Sequence, residues 1–205
     1  MPKTRSGAAP TRRAGSPAGA PNAVRIIGGR WKRSILPVPD APGLRPTPDR
    51  VRETLFNWLG QRLDGLACVD LFAGTGALGF EAASRGAAQV LMLERDARAA
   101  ASLSACAQRL GASQVSVHRG DAIAWLARAQ DAAPRARFDL VFLDPPFGEG
   151  LLGAVLPALA PVLAPAARLY VEAEAPFDPS PWPLRLLRQS RAGQVHYHLL
   201  EWTGP

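Results

Sequence analysis

From Cys68 onward the chain alternates short apolar runs with longer stretches of helical periodicity, and few folds accept that order. The runs are Cys68–Phe72, Val90–Leu93, Val115–His118, Leu140–Leu143 and Leu169–Val171. Between them lie the helical stretches Ala77–Arg85, Ala97–Leu110, Ala122–Ala129 and about Leu151–Leu163. Strands that alternate with helices build a parallel sheet covered by helices on both faces. The ending breaks the alternation. Leu184–Gln189 and Val195–Trp202 flank Arg191-Ala192-Gly193 with no helix between them, which reads as an antiparallel hairpin. The expected fold is α/β: a doubly wound, seven-stranded, mainly parallel sheet with an antiparallel last strand.

Three segments precede this core. Residues 1–22 carry almost no large apolar groups and read as a disordered basic tail. Residues 23–46 hold Val24, Ile26, Ile27, Ile35, Leu36 and Val38, broken by Gly28-Gly29 and four prolines, the pattern of a short hairpin or extended arm. Thr47-Pro48-Asp49 then looks like a helix start, with Thr47 as cap, Pro48 in the first helical position and Asp49 in the first turn. Val51, Leu55, Trp58 and Leu59 follow at helical spacing.

Charge is divided unevenly. Residues 1–52 hold 11 Lys/Arg against two acids, a net of +9, whereas residues 53–205 hold 13 against 15, a net of −2. A basic arm on a near-neutral body suits a polyanion such as nucleic acid, although such a run also serves as a solvated tail. Several classes are disfavoured. An apolar content of 47% supports a real core. Two cysteines without a CxxC argue against a disulfide scaffold and a structural zinc. No apolar stretch follows Arg12-Arg13, so a secretory signal is rejected. The uncharged run Leu151–Ala167 is 17 residues long with three prolines, short of a membrane span of about 20 residues, and reads as a buried helix followed by a turn. A soluble cytoplasmic protein is expected.

In a doubly wound sheet, ligands sit at the carboxyl ends of the strands. The first run leads into Asp70-Leu71-Phe72-Ala73-Gly74-Thr75-Gly76-Ala77-Leu78-Gly79, whose glycines allow a tight turn and close backbone approach before a helix N-terminus. A dinucleotide, S-adenosylmethionine, or a bare turn all fit that spacing. Asp70 favours the second, because a carboxylate suits an ammonium and sulfonium and repels a pyrophosphate. Glu94 ends the second run and could accept from both ribose hydroxyls of either cofactor, or pair with Arg95 or Arg98. Asp121, after the third run, could accept an adenine amino group or cap the helix that begins at Ala122.

The fourth run ends in Asp144-Pro145-Pro146-Phe147. Methylating an exocyclic amine is difficult because its lone pair is delocalised into the ring. Asp144 supplies an acceptor for the N–H groups, Pro145 a carbonyl on a stiff backbone, and Phe147 a ring on which an extruded base can stack. Asp-Pro and Pro-Pro are also ordinary loop formers, so placement after a strand is what gives the motif weight. His118, His196 and His198 lack ligand spacing, and His196 with His198 read as a half-exposed sheet face. Cys106 reads as core. No metal site is expected.

Asp70–Gly79, Glu94, Asp121 and Asp144–Phe147 together resemble class I S-adenosylmethionine-dependent methyltransferases of amino groups. The N-terminal blocks narrow the likeness: Arg25-Ile26-Ile27-Gly28-Gly29, Leu36-Pro37-Val38-Pro39-Asp40, Gly43-Leu44-Arg45-Pro46-Thr47 and Asp49–Leu59 are similar to the bacterial RsmD family of 16S rRNA guanine-N2 methyltransferases. Ala192-Gly193-Gln194-Val195 fits it too. The resemblance spans about residues 25–203 and implies a Rossmann-like methyltransferase domain over 47–205. It implies that Asp70, Ala73, Gly74, Gly76, Glu94, Asp121 and Ala122 bind S-adenosylmethionine. Asp144, Pro145, Pro146 and Phe147 would form the catalytic motif that holds the guanine. Arg25, Arg30, Lys32, Arg33, Arg45 and Arg50 would contact phosphates of 16S rRNA within the small ribosomal subunit, with no membrane partner and a monomeric enzyme. The rival readings are a DNA or RNA adenine-N6 methyltransferase, a nicotinamide-dependent oxidoreductase and a non-catalytic RNA-binding protein.

Overall fold

Alternating apolar runs and amphipathic stretches become strands and helices in the expected order. The computed structural model describes residues 23–38, 47–130 and 137–204. The tail 1–22 and the arm positions 39–46, Arg45 among them, lie outside the described residues. A two-stranded antiparallel hairpin comes first, β1 (Ala23–Arg25) and β2 (Ile35–Pro37). Then follow α1 (Asp49–Leu59), β3 (Ala67–Asp70), α2 (Ala77–Ser84), β4 (Gln89–Glu94), α3 (Ala97–Leu110), β5 (Val115–Arg119), α4 (Ala122–Gln130) and β6 (Phe138–Leu143). The remainder is α5 (Leu151–Val155), two single 3-10 turns, β7 (Leu163–Ala173), β8 (Leu184–Ala192) and β9 (Val195–Trp202).

The main sheet has seven strands in the order β5-β4-β3-β6-β7-β9-β8. The pairs from β5 to β7 are parallel, and β9 runs antiparallel to both β7 and β8. The chain enters at β3, winds outward through β4 and β5, then returns to place β6 on the other side of β3. That reversal puts the topological switch point between β3 and β6, where a crevice opens beyond the carboxyl ends.

Each face buries its own core. Val24, Ile26, Trp31 and Leu36 of the hairpin join Leu55 and Phe56 of α1, Phe80 of α2 and Leu103 of α3 on one side. Leu126 of α4, Val155, Leu156 and Val162 fill the other with Val69, Val141 and Leu169. Aromatic contacts fasten α1 to the sheet: Phe56 lies 6.3 Å from Phe142, and Trp58 stacks on Tyr197 at 5.4 Å.

Four expectations need correction. The helix expected over Leu151–Leu163 stops at Val155, because Pro157 and Pro161 lack the N–H that an α-helix requires, and two 3-10 turns replace it. Strand β7 accordingly begins at Leu163 rather than Leu169, with a register shift opposite Phe138–Leu140 and a left-handed Ala166 that accommodate Pro165. The first strand of the large sheet ends at Asp70, not Phe72; the chain turns there so that the Ala73 N–H reaches the Leu93 carbonyl at 2.9 Å. His198, read as half-exposed, is buried, and its Nε2 accepts a 3.4 Å hydrogen bond from the Phe177 N–H. Cys68 and Cys106 are both buried free thiols. No helix among the described residues is long and apolar enough to cross a membrane.

Candidate active site

The switch point gathers acids from three adjacent strands. Asp70 closes β3, and its register partner on β6 is Phe142, so Asp144 stands just beyond the end of the neighbouring strand. Glu172 lies on β7, one residue past the Leu143–Val171 pair. Asp70 is 2% exposed, and its Oδ1 is a buried oxygen without a hydrogen-bond donor. Burial, with the nearby Asp144 charge, pushes its carboxyl up to about 7. Burial also raises Asp144, against the pull of the Thr47 hydroxyl. Glu172 is raised by burial and then by Asp144, although Tyr170 donates to its Oε1 at 2.7 Å. Three carboxyls that resist ionisation together make a pocket prepared for a cation or for N–H donors.

The glycine-rich turn is shaped around Glu94. The Gly74 N–H donates to Glu94 Oε2 at 2.8 Å and the Asp96 N–H to Oε1 at 2.7 Å, so this carboxylate joins the loop after β3 to the end of β4. It does not pair with Arg95, which instead forms a two-pronged contact with Glu149. Gly76 caps α2 with φ +76°, and a Cβ there would sit 2.6 Å from Leu103. Glycine is required on both counts. Ala73 and Ala122 are buried beside this edge. Asp121 is exposed and accepts from the Ala124 N–H at 2.9 Å, so the capping role is seen directly.

Past β6, Pro145 is buried while Pro146 and Phe147 face solvent. Phe147 is 47% exposed, one of three large apolar side chains exposed among the described residues. An aromatic ring left in water at a strand end is costly for folding alone and useful for stacking.

The basic residues are placed differently. Arg25, Arg30, Lys32, Arg33 and Arg50 are all exposed. The hairpin turn that carries Arg30, Lys32 and Arg33 is held at the last residue of α2: the Arg30 N–H donates to the Ser84 carbonyl at 2.7 Å and the Trp31 N–H to Ser84 Oγ at 2.9 Å. Gly29, at φ +72°, leaves no room for a Cβ, which would fall 1.9 Å from the Ser84 carbonyl oxygen. Gly76 and the acids lie at the opposite end of α2, about 12 Å away at 1.5 Å per residue. The turn is therefore outside the crevice, whereas Arg50 lies on the first turn of α1, three residues after Thr47, whose hydroxyl meets Asp144.

Thr47 does not cap α1 as its sequence position proposes. Pro48 occupies the cap without a side-chain bond, and the Thr47 hydroxyl donates to Asp144 Oδ2 at 3.1 Å. Sequence reading also passes over Arg52 and Glu81, both fully buried. Glu81 accepts from the Ile27 and Gly28 N–H groups at 2.7 Å each and from Arg85 Nε at 2.8 Å. Arg52 reaches Asp49 at 2.5 Å, the Thr47 carbonyl at 3.2 Å and Glu81 at 3.5 Å. A signal was present: Glu81 is the one acid in the apolar helix Ala77–Ser84, and Arg52 shares a helical face with Leu55, Phe56 and Leu59.

Comparison with known proteins follows the same lines. The family described as Conserved hypothetical protein 95 matches residues 24–201. Ribosomal RNA small subunit methyltransferase D of Escherichia coli (strain K12) is 45% identical over 184 residues, covering 87% of this chain and 89% of that protein. The chain belongs to the RsmD family. A Haemophilus influenzae relative of the same name is 42% identical over 191 residues, covering 88% and 96%. A solved Escherichia coli structure described as a methyltransferase superposes with a TM-score of 0.76 at 40% identity, covering 88% of this chain and 98% of that one. Within the RsmD family the fold is that of a class I methyltransferase, and the methyl donor is S-adenosylmethionine. The residues fit that group: Asp70 presents a buried oxygen without a donor, as an ammonium requires, and the Glu94 carboxylate stands at the glycine turn beside it.

Proposed function

We propose that this chain transfers a methyl group from S-adenosylmethionine to the exocyclic N2 of a guanine in 16S rRNA, within the small ribosomal subunit or an assembly intermediate. The observation that carries the reading is the position of Asp144-Pro145-Pro146-Phe147 at the switch point, beside the buried Asp70 and with Phe147 exposed. The relatives named for small-subunit ribosomal RNA support the substrate.

Bound S-adenosylmethionine supplies an electrophilic methyl group on a sulfonium. Asp70, Gly74, Gly76, Glu94 and Asp121, with Ala73 and Ala122 behind them, hold it. The remaining work falls to β6 and its loop. Asp144 accepts an N–H of the guanine amine, and the Pro145 carbonyl accepts the other. Together they turn the lone pair out of the ring and toward the methyl carbon. As the N–C bond forms at the expense of the methyl–sulfur bond, with the neutral thioether as leaving group, the amine's proton leaves along the Asp144 hydrogen bond. Phe147 stacks on the extruded base and keeps water from one face. Arg25, Arg30, Lys32, Arg33, Arg45 and Arg50 contact phosphates, which position RNA without reading its sequence.

The test is methyl transfer from labelled S-adenosylmethionine to small-subunit particles that lack the modification, with the modified nucleoside identified afterwards. N2-methylguanosine in 16S rRNA is the expected product. N6-methyladenosine would keep the fold and donor and overturn the substrate.

A further inference from the structure

We propose that Thr47 is a positioning residue for Asp144, and that Arg52 and Glu81 hold it in place from the hairpin side. The inference rests on the reading that Asp144 receives the amine. Four observations carry it.

Asp144 has two carboxylate oxygens, and a hydrogen bond between side chains 97 positions apart fixes one of them: Thr47 Oγ1 to Oδ2, 3.1 Å. Anchoring Oδ2 directs Oδ1 toward whatever enters the crevice. Thr47 is itself 7% exposed, so its hydroxyl is not kept for water. The segment that carries it is clamped, because Arg52 Nε donates to the Thr47 carbonyl at 3.2 Å and the Val51 and Arg52 N–H groups bind the Pro48 carbonyl at 3.0 and 3.1 Å. Arg52 is held in turn by Glu81, whose two oxygens also take the Ile27 and Gly28 N–H groups of the hairpin. A continuous set of polar contacts thus runs from the basic hairpin to the carboxylate at the end of β6. Each link is buried or half-buried, where such bonds are strongest.

The decisive comparison is Thr47→Val against Thr47→Ser in the full-length protein. Valine keeps the volume and β-branching but removes the donor, while serine keeps the donor. With methyl transfer to under-modified small-subunit particles as the assay, Thr47→Val is expected to lose roughly 10- to 100-fold in kcat, the range for a hydrogen bond to a charged group. KM for the particle and affinity for S-adenosylhomocysteine stay at wild-type values, and Thr47→Ser recovers most of the rate. A second readout is specific to positioning. The acidic limb of the rate profile moves to higher pH in Thr47→Val and not in Thr47→Ser, because the hydroxyl opposes the upward pull of burial on Asp144. Asp70, Glu172, Tyr170 and Glu94 face the same pocket; the Thr47 hydroxyl also lowers Glu172, so Glu172→Gln combined with Thr47→Val must still show the shift if it belongs to Asp144.

Wild-type kcat in Thr47→Val overturns the proposal. So does an equal loss in both variants, or a fall in melting temperature and cofactor affinity that accounts for the rate, since these assign Thr47 a structural role only. If the wild-type protein methylates a nucleoside other than guanosine, the substrate reading fails. The same comparison on that nucleoside still decides the role of Thr47.

Discussion

At the residue scale, the pocket is defined by carboxyls that the fold keeps from ionising freely. Asp144→Ala should keep affinity for S-adenosylmethionine and lose about 100-fold or more in turnover, as when a preorganised hydrogen-bonding group is removed from an active site. Equilibrium binding and single-turnover rates measured on one preparation check this, and unaltered turnover would exclude Asp144 from the chemistry. Asp70 supplies a pH test. Its carboxyl titrates at about 7 in the folded protein, so below that pH it is protonated. A cationic cofactor prefers the ionised form. Affinity should therefore fall as pH drops from 7 to 6, and binding in that interval should release a proton. Calorimetry in two buffers of different ionisation enthalpy reads the proton, and Asp70→Asn should abolish it. Asp144 was legible because it follows an apolar run, where a strand ends and its last side chain meets the crevice; Asp70 was legible from the glycine turn that it precedes, although its strand was drawn two residues too long. Thr47 was not. Its Thr-Pro-Asp setting is the signature of a helix start, and nothing local says that its hydroxyl is used 97 positions away. Glu172 carried the same signal as Asp144, directly after the run Leu169–Val171, but was not singled out.

At the scale of elements, the hairpin β1–β2 is fixed to α2 by Ser84 and by one buried carboxylate. Glu81 satisfies two backbone N–H groups and two guanidinium groups while fully buried. Removing one partner of such a network strands the rest without water. Glu81→Ala should cost roughly 3–5 kcal/mol of stability, measured by chemical denaturation, whereas a loss near 1 kcal/mol would mean that water replaces the carboxylate. The elements themselves were largely readable. Helices α2 and α3 start where expected, because the glycine turn and Asp96, whose carboxylate accepts from the Arg98 and Ala99 N–H groups, mark their beginnings. The error at Leu151–Leu163 has a different origin. An unbroken apolar run carries no period, so helix and buried strand look alike, and only the prolines decide where one gives way to the other.

At the scale of the molecule, basic and acidic functions occupy opposite ends of α2. Affinity for the RNA particle should fall steeply with salt, and replacing Arg30, Lys32 and Arg33 with alanine should flatten the dependence by roughly 0.7 for each phosphate no longer neutralised. Catalysis on substrate at saturation should change little, since none of the three lies in the crevice. Binding isotherms over a salt series test this, and an unchanged slope would remove the turn from the RNA surface. The overall architecture was the most legible level of all, because strand–helix alternation admits few alternatives and the antiparallel ending shows as a missing helix. The spacing along α2 also gives the chain a ruler. A single nucleotide at Phe147 and Asp144 is too short to touch the hairpin turn as well. On the proposed function, a substrate that meets both the turn and the crevice must span about 12 Å, the rise of α2 from Gly76 to Ser84.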